Sequence, residues 1–286
     1  MRVVLLSVVT LALMAPLLAG DTPVTMTGVL ETPTVGGAVN WTDGVARAIG
    51  IGAPPAQVRG PQAAVLARRA ALLDARRNLL EVIQGVRISS TTTVRNAMTE
   101  DDVITSSVQG FIRGARVVRE ETRADGAVLV EVAVALYGGA ESLAGRLELP
   151  ERLASVPEPP NADLAAPPAV QGNYTGLLID CRGVKLAPAM CPKILDVNGA
   201  EVWGRVEVTN DVLLEKGLAG YYPSVERALE LGRVGRNPLI IRAARAAGNG
   251  QFPTDAVVSL ADARRILAED AATHFLRKLA VGFVVE

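Results

Sequence analysis

The stretch PQAAVLARRAALLDARRNLLEVIQG, residues 61–85, decides how the first half of this chain is read. Val65, Leu66, Leu72, Leu73, Leu79, Leu80 and Ile83 recur at helical intervals. Pro61 stands at the start, where a missing amide hydrogen matters little, and Gly85 stands just past the end. The spacing predicts one helix from Pro61 to Gln84 with those seven residues as its buried stripe. On either side, VNWTDGVARAIGIG (39–52) and VRISSTTTVR (86–95) are rich in Val, Ile and Thr and read as strands. The Gly50-Ile51-Gly52-Ala53-Pro54-Pro55 run has neither dinucleotide nor phosphate-loop spacing, and its prolines remove amide donors. Its glycines are expected to let the strand end and turn toward the helix.

Downstream, Thr99 is the expected N-cap of a second helix, with Glu100, Asp101 and Asp102 on its positive end. Val103, Ile104, Val108, Phe111 and Ile112 would form its buried stripe, and Gly114 its end. Residues 115–121 and 128–136 then read as two strands joined around Asp125-Gly126, a hairpin turn. The first domain is therefore predicted to be α+β, a small mostly antiparallel sheet with helices packed on it.

These residues carry a resemblance. Trp41, Gly50-x-Gly52, an alanine-rich helix bearing Asp74-x-x-Arg77-Asn78-Leu79-Leu80, a Thr-rich strand and a second helix resemble the Lpp-type lipoprotein family. The same order is similar to the N-terminal domain of the flagellar assembly protein FlgT, over residues 39–136. The resemblance implies an envelope protein with no catalytic residues to carry over. The chain departs from it in lacking a lipidation cysteine and any recognisable flagellar segment downstream.

Residues 1–20, MRVVLLSVVTLALMAPLLAG, combine one early positive charge, an apolar run and a small-residue finish, the layout of a secretory signal peptide. Leu18-Ala19-Gly20 precedes Asp21 and not a thiol. The expectation is a periplasmic or otherwise exported, soluble and unlipidated chain with no transmembrane segment after signal cleavage. A net charge of −1 gives no support to nucleic-acid binding. With 3% aromatic residues, the cores should be aliphatic.

Residues 21–38 read as an extended lead-in, 39–146 as the first domain, and the Pro/Ala-rich residues 147–172 as a semi-rigid linker that separates the domains. A second α+β domain, also mostly antiparallel, is expected over 173–286. Its signals are a strand at 174–181, a hairpin about Asn198-Gly199, and short helices at 211–216 and 224–231. They continue with a strand at 238–246, a long helix capped by Ser259, and a closing strand at 281–285.

The chemistry on offer is sparse. Cys181 and Cys191 are the two cysteines, and in an exported protein they read as a structural disulfide. His274, the single histidine, falls inside the expected last helix and reads as a packed or capping residue. No nucleophile motif accompanies it. One histidine is too few for a His-based zinc site, and no cofactor motif is present. Arg68, Arg69, Arg76 and Arg77 are the candidate interaction surface. They read as a solvated face with Arg77 paired to Glu81, the alternative being a basic stripe for an anionic polymer or lipid. The expected function is a non-enzymatic envelope module that binds another envelope protein or associates with itself. The alternative is a hydrolase of an envelope polymer that uses Asp180, Asp196 and Glu201 as acid and base.

Overall fold

The computed structural model describes residues 24–26, 29–148, 169–204, 210–248 and 252–286. The expected signal peptide, and residues 149–168 of the expected linker, lie outside the described residues. The long helix runs from Pro61 to Gln84, as its sequence predicts (α1). It lies on a six-stranded antiparallel sheet built from β1 (Val24–Met26), β2 (Val29–Thr34), β3 (Gly37–Asn40), β4 (Val45–Gly52), β5 (Arg116–Thr122) and β6 (Val128–Ala135). The spatial order is β1-β2-β3-β4-β6-β5. The expected lead-in is therefore largely sheet: β2 pairs with β3, and β3 with β4. The β5–β6 hairpin turns at Asp125-Gly126, where Gly126 takes φ 81° and Asp125 Oδ1 accepts from Ala127 N at 3.0 Å.

The buried face of α1 differs from the predicted stripe. Ala63, Ala67, Ala71 and Ala75 point at the sheet, followed by Leu79, Val82 and Ile83, while Val65 and Leu73 are 56% and 65% exposed. The cause lies in β4. A Cβ added at Gly50 would fall 2.1 Å from Ala75 N, and one added at Gly52 would fall 2.1 Å from Ala67 O. Helix backbone rests directly on strand backbone, which only a glycine–alanine contact permits. These glycines seat the helix; they do not turn the chain.

Residues 86–95 are not a strand. One bridge joins Arg87 to Thr93, and the amides of Ile88 and Ser89 both donate to Thr92 O. Thr93 then caps α2 (Val94–Glu100) together with Asn96, and Asp101 caps α3 (Asp102–Arg113). The hydroxyls that suggested a strand are used in a turn and a cap. On α3, Val108 and Ile112 are buried, but Val103 is exposed. A short α4 (Leu143–Arg146) follows, capped by Ser142.

The second half is α+β with a different sheet architecture. Its strands are β7 (Gly176–Asp180), β8 (Ile194–Asp196), β9 (Glu201–Trp203), β10 (Gly220–Tyr222), β11 (Pro238–Arg242), β12 (Arg245–Ala247), β13 (Asp255–Val258) and β14 (Val281–Val284). Sheet β10-β14-β7-β11 is parallel throughout, and sheet β12-β13-β8-β9 is mixed. The expected antiparallel pairing holds for the hairpin about Asn198-Gly199 but not for the main sheet. β7 and β14 are buried on both faces, as parallel strands are. The helices are α5 (Asn210–Lys216), α6 (Val225–Leu231) and α7 (Leu260–Thr273).

The two halves share one continuous core. Trp41 meets Tyr221 edge-on at 5.6 Å, and Tyr221 stacks on Phe283 at 5.5 Å. The Tyr221 hydroxyl donates to Ala189 O at 2.9 Å and accepts from Ala189 N at 3.0 Å. Across the same seam, Met190 N donates to Arg87 O and Cys191 N to Ile88 O, while the amides of Gly138 and Gly139 donate to Leu214 O. Gly217 leaves room for the Tyr137 ring, and the Arg87 guanidinium lies over Phe252 at 5.0 Å. The core is mostly aliphatic, as its composition predicts, and its few aromatics concentrate here and in the second half.

Candidate functional site

The outer face of α1 is the most exposed apolar and basic surface on a long helix. Because the alanines take the sheet side, Val65, Arg69, Leu73 and Arg77 are turned outward at four-residue spacing. Arg68, also exposed, reaches over the sheet and pairs with Glu120 of β5 at 2.9 Å. Arg76 is half-buried, and its buried Nε has no hydrogen-bond partner among the described residues. Among the described residues the ion pair of this helix is Arg68–Glu120, made across elements, where the sequence points to Arg77–Glu81.

Two further side chains of α1 have roles that the periodicity did not reveal. Past the end of β3, β4 has an open edge. Ile51 N donates to Asp74 Oδ2 at 3.0 Å, and Asn78 Nδ2 donates to Ile49 O at 2.6 Å. The helix thereby satisfies the strand groups that β3 leaves unpaired. The i,i+4 spacing of Asp74 and Asn78, set against alternating glycines on the strand, is the signal that could have found this.

Cys181 and Cys191 are separate thiols, so the expected disulfide is not formed. Cys181 follows β7 and is fully buried, its amide donating to Val284 O; Cys191 is anchored through its own amide to Ile88 across the seam. Each is fixed by a different backbone partner. Burial raises both thiols far from their ordinary range, Cys191 to about 12. Neither is an activated thiolate.

The three candidate carboxylates do not form an acid–base pair. Asp180 is gripped by its neighbour Arg182 at 2.7 and 2.9 Å, which holds its carboxyl below the usual range. Asp196 is buried in another sheet and accepts from the amides of Asn198 and Ala200 in the hairpin turn. Glu201 pairs with Lys193 at 2.8 Å. His274 closes α7 as a left-handed C-cap at φ 55°, not as an interior residue.

No short-range signal in the sequence marks the buried polar groups of the second half. Asp255 is buried, accepts from Thr254 Oγ1 at 3.1 Å and Lys193 N at 3.2 Å, and has Ser90 of the first half beside it. Desolvation pushes its carboxyl above the usual range. Glu269 accepts from the amides of Gln171 and Gly172, fixing the point where the chain enters the second half. Arg233 donates to Leu279 O, Lys216 O and Gly217 O, stitching three loops. All three act structurally.

A second exposed acidic and apolar helix face lies on α6. Ser224 caps it and Gly232 ends it in the left-handed conformation. Ala228 faces the core, leaving Glu226, Leu229 and Glu230 outward. Glu230 is bonded to Arg227 at 3.0 Å, an exposed pair.

Residues 176–286 match the family described as Treponema pallidum Tp0624, second domain. The match begins at the first residue of β7 and covers the strands and helices of the second half. No curated protein matches the chain. Among the described residues, no helix is long and apolar enough to cross a membrane.

Proposed function

We propose that this chain is a non-enzymatic module of the cell envelope, periplasmic or otherwise exported, that binds or assembles with other protein. The observation that carries this reading is the outer face of α1. It sets two large apolar side chains, Val65 and Leu73, in solvent, alternating with Arg69 and Arg77. Arginine is enriched at protein contact sites, and the exposed Val65 and Leu73 beside Arg69 and Arg77 offer apolar area for a partner to cover. The assembly reading is also supported by the rigid support beneath it: a backbone-on-backbone contact with β4 and a core continuous across both halves. The likeness of the first half to Lpp-type and FlgT-type envelope domains agrees with the signal-like start of the chain. The hydrolase alternative is weakened because Asp180 is held by Arg182 after β7, while Asp196 and Glu201 are taken up by the turn and the base of the β8–β9 hairpin.

A photo-crosslinking residue at Leu73, introduced into the full chain in cells, tests the reading. The expected result is a discrete adduct that is lost on adding Arg69→Glu. No adduct of any kind, or hydrolysis of an envelope polymer that Asp180→Ala abolishes, would overturn it.

A further inference from the structure

We propose that two copies of this chain pair edge to edge through β5, antiparallel about Glu120, joining their six-stranded sheets into one. The inference uses a different surface from the outer face of α1 and stands or falls apart from it. β5 is the outer strand of the first sheet, and all seven of its residues are exposed. Among the described residues it is the longest edge strand, with no strand beyond it. β4 shows how the fold closes an edge when it does so: where β3 ends, Asp74 and Asn78 of α1 take up the backbone of Ile51 and Ile49. A row of backbone groups left open along an edge specifies its occupant as another extended strand.

The charges decide which strand. Register with β6 fixes the faces of β5. Glu120 lies opposite Val130, on the side that carries α1, while Arg119 and Glu121 lie opposite Glu131 and Leu129, on the other side. A two-fold axis through Glu120, normal to the sheet, sets Arg119 opposite Glu121 of the second copy and Glu121 opposite its Arg119. Side chains directly opposite on antiparallel strands are close enough to pair. The Arg119–Glu121 contact within each strand, at 2.6 Å, then becomes one side of a four-charge ring of alternating sign. On the α1 side the two Glu120 side chains meet, and each is held by Arg68 through both carboxylate oxygens at 2.9 and 3.0 Å. Two arginines and two glutamates therefore line the axis there as well. Centring the axis on Arg119 or on Glu121 instead opposes like charges. The bulge between Val117 and Arg119 interrupts straight pairing and confines the contact to residues 118–122. Bulge and charges together reject an arbitrary strand and accept one that presents the same charges in reverse order, as an antiparallel second copy does. Each copy uses its β5, so association closes at the dimer. The contact is short, and the dimer is correspondingly weak.

Sedimentation velocity on the purified full chain across a concentration series reads the pairing directly. The expected result is a monomer–dimer equilibrium with nothing larger. Arg119→Glu and Glu121→Arg, each alone, oppose like charges at both cross-strand pairs. Each should weaken dimerisation at least about tenfold, with an unchanged melting temperature. Two rescues are decisive. The two single variants mixed in equal amounts should form a heterodimer, because every cross-strand pair between them is complementary. The double variant that exchanges Arg119 and Glu121 within one chain should dimerise like the wild type. A wild-type chain that stays monomeric to about 1 mM, in the range where weak contacts show, would overturn the proposal. So would single variants that dimerise like the wild type, a mixture that stays monomeric, or growth beyond the dimer. If a charge-reversal variant misfolds, Arg119→Gln takes its place and must weaken dimerisation. A monomeric chain that still forms a Leu73 adduct with a different envelope protein would sink pairing through β5 and leave the α1 reading standing.

Discussion

The two halves of the molecule hold their helices and sheets together in opposite ways. In the first half, α1 sits on β4 with almost no side chain between them: Ala67, Ala71 and Ala75 meet Gly50 and Gly52. In the second half, bulky rings fill the space around a parallel sheet, with Trp203, Tyr221, Phe275 and Phe283 fully buried. A glycine–alanine contact is sensitive to added atoms, whereas an aromatic core is sensitive to removed ones. The same contrast sets which residues remain free for function. By using alanine inward over its first four turns, α1 keeps Val65 and Leu73 for the outside.

The sharpest way to break the comparison is to remove the ring that serves both halves. Tyr221→Ala leaves a cavity between Trp41 and Phe283 and strips the Ala189 backbone of its hydroxyl partner. The expected loss is about 4 kcal/mol, read by urea denaturation, and both halves should unfold in one transition. Two separate transitions would show that the shared core does not couple them.

Adding one carbon on the other side is the complementary test. Gly50→Ala forces α1 away from β4, because the new Cβ meets backbone atoms of Ala71 and Ala75 that cannot swing aside. About 2–3 kcal/mol should be lost. Leu73→Ala, by contrast, should change stability by less than about 0.5 kcal/mol, since its side chain already lies in solvent. A large loss at Leu73 with none at Gly50 would mean that α1 packs through its leucines after all.

That reversal marks what could be read from the chain and what could not. The ends of α1, the Asp125-Gly126 and Asn198-Gly199 hairpins and the Ser259 cap are written in local residues, and the structure has them. The buried face of α1 is decided by β4, since glycines on a strand favour alanines opposite however strong the leucine periodicity. The Thr-rich run at 86–95 has strand propensity, but the first turn of α2 uses Thr93 as its cap. The parallel order β10-β14-β7-β11 brings together residues far apart in sequence, and no short window contains that information. The α1 arginines were visible, but the exposed Leu73 between them was assigned to the core. The acidic face of α6 was not recognised.

The seam offers a finer probe through pH. Asp255 is buried where Ser90 from the first half meets Thr254 and Lys193 of the second, and desolvation raises its carboxyl above the ordinary value. A raised acid is protonated in the folded chain at pH values where the unfolded chain has already released its proton. Its contribution to stability is therefore fully present below the unfolded value of 3.8 and is lost as pH rises through the raised folded value. The slope contributed by one such group cannot exceed about 1.4 kcal/mol per pH unit. Asp255→Asn keeps an acceptor toward Thr254 and Lys193 N but has nothing to ionise. Denaturation across this window should show stability falling with pH more steeply in the wild type than in the variant. Asp270, also raised by burial, adds the same slope to both and cancels in the difference. Identical slopes would mean that water reaches Asp255 and that the seam is looser than the core on either side of it.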